Sequence, residues 1–152
     1  MMRRILALAV LLAITVPATA QVADGPTLFK RCAVCHQPSG AGIPGAFPPL
    51  RSDFVAMASR DDGRRYLALA VMKGLAGPLV IDGTTYRGVM PAQSMLGDAE
   101  IALVLNHIGT DIAKGGSGFR AFTAAEVAKA RQSGAALTSA DVAALHAGPS
   151  RK

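Results

Sequence analysis

Cys32-Ala33-Val34-Cys35-His36 contains both cysteines of a 152-residue chain, three positions apart, with a histidine directly after the second. Side chains three apart are neighbours on one face of a helix. The flanking residues predict that helix. Asp24 can cap its start, and Pro26 stands where a missing backbone N–H is harmless. Leu28, Cys32 and Cys35 then recur at i, i+4 and i+7 on one face, and Pro38 and Gly40 stop the run.

Two thiols on one helical face with an imidazole next to them form the C-x-x-C-H attachment sequence of a c-type haem. Each thiol can reach one of two vinyl groups on the same haem edge and form a thioether. His36 can swing its imidazole under the iron as the first axial ligand. Three other uses of the thiols compete. A thioredoxin-like dithiol belongs at a strand-to-helix junction, and no strand signal precedes Thr27. A zinc site needs a fourth ligand beside Cys32, Cys35 and His36, and only the isolated His107 and His146 remain. A structural disulfide would close a very short loop and leaves His36 unexplained.

Upstream, Arg3 and Arg4 precede an uncharged apolar run from Ile5 to Val16, then Pro17 and the small residues Ala18-Thr19-Ala20. This predicts a secretory signal peptide over residues 1–20, cut after Ala20. The competing reading is an uncleaved anchor, but the run is shorter than the roughly 20 residues a spanning helix needs. No other segment could span a bilayer, so no stable membrane span is expected after cleavage. The cleaved chain would hold 14 Lys and Arg against 10 Asp and Glu. That modest basicity suits docking to an acidic protein surface and not nucleic-acid binding. Hydrophobic residues make up 51% of the sequence, aromatics only 5%, and Trp is absent. A core so poor in large side chains packs on aliphatic residues or is built around something that is not protein.

Downstream, residues 38–50 hold Pro44, Pro48, Pro49 and three glycines, and predict a long loop that wraps something. Ser52 can cap a short helix to about Met57, and Ser59 the next, from Asp61 to Lys73, ended by Gly74. Leu79–Ile81 and Thr84–Tyr86 flank Asp82-Gly83 as a small hairpin. Asp98 to Ile108 predicts a helix, with Glu100 supplying half a capping box after Gly97 and Gly109 ending it. Thr123-Ala124-Ala125-Glu126 is a full capping box that opens a helix to about Gln132, ended by Gly134. Ser139 to His146 predicts a last short helix.

The sixth iron ligand must come from elsewhere in the chain. Met57 and Met72 fall on helices and read as packing residues. Met90 lies in an irregular stretch and is followed by Pro91, which stiffens the backbone; it is the expected ligand, with Met95 in the same stretch as rival. His36 needs an acceptor for its far nitrogen, and a carbonyl of Phe47-Pro48-Pro49-Leu50 can provide it. Leu50 can pack on the ring. Tyr86 could offer its hydroxyl to the pocket or simply close the core. His107 and His146 are not expected as ligands. Lys30, Arg31, Arg51, Lys73 and Arg87 can ring an exposed haem edge or form a solvated surface.

These motifs resemble the class I, mono-haem cytochromes c. The resemblance runs from about Pro26 to Gly109. It rests on Cys-Ala-Val-Cys-His, Phe-Pro-Pro-Leu, Gly-Thr-Thr-Tyr-Arg-Gly-Val-Met-Pro and Leu-Gly-Asp-Ala-Glu-Ile-Ala-Leu-Val-Leu-Asn-His-Ile. It implies an all-α fold wrapping one haem c, in which the first and last core helices cross. It also implies thioethers at Cys32 and Cys35, axial His36 and Met90, and a Pro48 carbonyl bonded to the axial histidine. The expected organisation is a signal peptide at 1–20, a haem domain at 21–112 and a helical extension at 113–152.

The Gly-Val-Met-Pro version is similar to cytochrome subunits of periplasmic dehydrogenases and terminal reductases or oxidases. The implied activity is one-electron transfer in the periplasm, as a free carrier or in a membrane complex. The expected partners are a dehydrogenase donor and an oxidase or reductase acceptor. A haem enzyme or gas sensor with an open iron position is the alternative, and a thiol–disulfide exchanger a third. Two departures stand out: Gly97 replaces a common Ser, and His107 stands where an aromatic is common, at the expected helix crossing.

Overall fold

The computed structural model describes residues 23–146, and the expected export signal lies outside them. Among the described residues the architecture is six short helices with two small antiparallel strand pairs, in line with the expected all-α class.

Helix α1 runs Gly25–His36. The Asp24 carboxylate accepts the Thr27 N–H at 2.9 Å, the expected cap. Leu28 and Phe29 point into the core. Helix α4, Asp98–His107, crosses α1. Gly25 permits the close approach: a Cβ there would sit 2.7 Å from the Leu103 carbonyl oxygen. One turn on, Phe29 meets His107 edge to face at 5.3 Å, so the histidine supplies the ring contact an aromatic would have made.

Helices α2 (Ser52–Ala58) and α3 (Asp61–Lys73) follow the wrapping loop. Both expected caps need correction. Arg51 precedes α2 with helical backbone and no side-chain cap, and Ser52 is already helical. Arg60 precedes α3 in extended conformation, while the Ser59 hydroxyl donates to the Ala56 carbonyl at the end of α2. Asp53, and Asp61 and Asp62, still place negative charge in the two first turns.

Gly74, at φ +71°, ends α3 as expected. Strands β2 (Leu79–Ile81) and β3 (Thr84–Tyr86) form the expected hairpin, with Asp82 and Gly83 both at positive φ. A second pairing has no counterpart among the sequence expectations: β1 (Leu75–Ala76) with β4 (Val89–Met90), Leu75 opposite Met90.

Gly109 does not end the helix after Asp98. The chain continues through a π-helical turn, Ile108–Ile112, closed by the Ala113 N–H on the Ile108 carbonyl at 2.7 Å. The Phe119 ring occupies the space a Gly109 Cβ would need, so this glycine serves packing.

Helices α5 (Ala124–Ser133) and α6 (Ser139–Leu145) open on capping boxes at Thr123 and Thr138. They lie on the body of the protein, α5 against α3 and α4, α6 against α3 and β1. Val127 and Val142 are fully buried. The extension therefore covers the core.

Candidate functional site

Cys32, Cys35, His36, Pro48, Leu50, Tyr86 and Met90 all line one cavity of about 450 Å³, whose wall is almost wholly apolar. The volume lies in the range of small-molecule and cofactor pockets.

Helix α1 supplies one wall. Cys32 and Cys35 are half-buried free thiols. Burial pushes the Cys32 thiol up, against the weaker pull of Arg31. His36, at the last helical position, is buried. Its Nδ1–H donates to the Pro48 carbonyl oxygen at 2.8 Å, since a carbonyl can only accept. Burial holds the imidazole pKa below the ordinary histidine range, with the Pro48 bond opposing. The ring is therefore neutral, with its lone pair on Nε2, the form a metal binds.

The loop that carries Pro48 is pinned at several points. The Ile43 N–H donates to the Phe47 carbonyl at 2.7 Å, Gly42 to His36 at 3.0 Å, and Leu50 to Gly40 at 2.8 Å. The Arg51 guanidinium grips the Ser39 carbonyl at 2.9 and 3.1 Å. Gly42, at φ +67°, lies so close to the Phe47 and Pro48 carbonyls that a side chain would collide with them. This glycine sets the position of the oxygen that orients His36.

Met90 comes from β4, and its place is fixed by β1 and the end of α3. It pairs with Leu75, the Gln93 N–H donates to the Val71 carbonyl at 2.9 Å, and Gly74 leaves room for the Met90 carbonyl. Met95, 82% exposed, does not line the cavity. Met57 and Met72 are buried core residues, though Met57 also reaches the cavity. Tyr86, opposite Leu79 on the hairpin, is a buried wall residue.

Of the five cations weighed as a ring, only Arg31 reaches the cavity. Arg51 holds Ser39, and Lys73 donates to the Ala135 carbonyl at 2.9 Å. The exposed rim is apolar, with Val34 and Val89 81% and 68% exposed. His107 and His146 pair with Asp111 and Asp53.

His146, not expected as a ligand, nevertheless lines the cavity beside Asp53 and Tyr66. Only the packing of α6 on α3 brings it there. Burial, and then the Asp53 carboxylate, hold the Tyr66 phenol above its usual range.

These donors fit a haem c. Two thiols one turn apart, a neutral imidazole with an oriented ring and a thioether sulfur face one apolar space.

Similarity to known proteins agrees with that fit. The Cytochrome c family model matches residues 22–111, more than half of the chain, and the chain belongs to this family. The cofactor is accordingly haem c, and the protein is a haem-based electron carrier. It is 48% identical over 111 residues to Cytochrome c-552 of Thermus thermophilus, covering 72% of this chain and 85% of that one. It is 33% identical over 123 residues to the cytochrome c subunit of a quinone alcohol dehydrogenase of Gluconacetobacter polyoxogenes, covering 80% of this chain and 25% of that subunit.

Proposed function

We propose that the chain relays single electrons between redox proteins in the periplasm, with His36 and Met90 the residues that would hold its iron. The observation that carries the reading is the common cavity of Cys32, Cys35, His36 and Met90, with His36 fixed by Pro48.

When bound, haem c supplies one iron that takes up and gives back a single electron. Cys32 and Cys35 would hold it by thioethers. His36 offers Nε2 to the metal, and the Pro48 carbonyl fixes the ring and strengthens its basicity. Met90, on β4, would offer its thioether, a ligand type that raises the potential. With His36 and Met90 both engaged by the metal, small molecules would not be activated there. The apolar wall excludes water, and the apolar rim at Val34 and Val89 leaves one edge of the site accessible to partners.

The donor is a dehydrogenase and the acceptor an oxidase or reductase. Support comes from the relative named as a dehydrogenase subunit, from the export-like residues 1–20 and from the modest positive charge. Among the described residues no helix is long and apolar enough to cross a membrane.

Spectroelectrochemical titration tests this reading. A single one-electron wave is expected, and the reduced protein should keep its spectrum under carbon monoxide. Rapid carbon monoxide binding would overturn the His/Met assignment.

A further inference from the structure

Two ionisable side chains on the cavity wall have no task in this account. Asp53, on α2, meets His146, which follows α6: the carboxylate Oδ2 lies 2.6 Å from Nε2. The His146 side chain is 12% exposed and that of Asp53 32%. Tyr66, from α3, meets the imidazole edge to face at 5.4 Å and is a neutral phenol. Strand β1, which also packs on α6, carries only Leu75 and Ala76. The remaining ionisable groups on the cavity wall are Arg31, Cys32, Cys35 and His36 on α1 and Tyr86 on β3.

We propose that Asp53 and His146 are a hydrogen-bonded pair that tunes the reduction potential of the haem, with His146 the residue through which the C-terminal extension reaches the redox centre. This rests on the haem-carrier reading above. A charge on the wall of an apolar cavity is poorly screened and acts on any charge inside it. The ferric state carries one more positive charge than the ferrous. An uncompensated Asp53 carboxylate therefore favours the ferric state and lowers the potential. The His146 N–H directed at Oδ2 offsets that field.

The two partners thus act with opposite sign, which a purely structural role does not produce. Losing either side of a structural clasp would loosen the cavity, admit water and lower the potential in both cases, because water favours the more highly charged iron.

The test is the potential of the full holoprotein by spectroelectrochemistry, after each sample has been weighed intact to verify attached haem. Asp53→Asn should raise the potential and His146→Phe should lower it, with the double variant lying between them. Asp53→Asn changes the charge while keeping the shape, so it carries the test if His146→Phe fails to fold. An unchanged or lowered potential in Asp53→Asn, or shifts of the same sign in both single variants, would overturn the pair. Wild-type protein without attached haem would overturn the haem-carrier reading as well.

Discussion

The guanidinium of Arg64, buried in α3, lies 3.0 and 2.9 Å from the two carboxylate oxygens of Glu126 in α5. Its other donors reach the carbonyls of Ala58, Arg120 and Ala121, and its face stacks on Phe122 at 3.8 Å. One side chain thus ties the haem-cavity helices to the extension. Arg64→Met removes a donor from the Ala58, Arg120 and Ala121 carbonyls, while Glu126 keeps Arg120 and Thr123, and should destabilise the protein by about 2 kcal/mol, the scale of several lost part-buried hydrogen bonds. Thermal unfolding followed by circular dichroism reads this.

Arg64, foremost among its partners, holds the Glu126 carboxyl down from 4.5 to about 2. A depressed folded-state value means stability that is present above the unfolded value and lost as pH falls toward the folded one. The wild type should therefore lose stability between roughly pH 4.5 and 2. Glu126→Gln, less stable at neutral pH, should lose less over that window. Urea unfolding at a series of pH values compares the two slopes.

Several parts of this molecule could be read from local sequence alone. Cys32, Cys35 and His36 are consecutive or one turn apart, Asp24 caps three residues away, and Asp82-Gly83 makes its own turn. What escaped the sequence depends on partners distant along the chain. Arg64 and Glu126 are 62 positions apart, and His146 and Asp53 are 93. The β1–β4 pairing involves two-residue strands, too short for any periodicity. Gly109 read as a stop because glycine commonly ends helices, yet Phe119 needs its missing side chain. Serine suits both a cap and other positions near a helix end, so only backbone geometry separates these roles at Ser52 and Ser59.

Met90 lines the cavity while Met95 stands out in solvent. Met90→Ala should abolish the weak red absorption band expected for methionine–iron bonding and lower the potential. Met95→Ala should leave both unchanged. Optical spectra of the two oxidised variants decide the assignment.

Gly42 holds a left-handed conformation against the Phe47 and Pro48 carbonyls. Gly42→Ala should destabilise the fold by about 2 kcal/mol, combining backbone strain with displaced carbonyls. By loosening the His36–Pro48 bond it should also shift the potential. Thermal unfolding and spectroelectrochemistry read the two effects.

The central claim is covalent attachment of one haem through Cys32 and Cys35, and intact mass spectrometry tests it most directly. Protein made in a host that matures c-type cytochromes should exceed the mass of its processed polypeptide by one haem and keep it through acid–acetone extraction. The Cys32→Ala, Cys35→Ala double variant should not. A wild-type mass equal to that of the polypeptide alone would contradict the account.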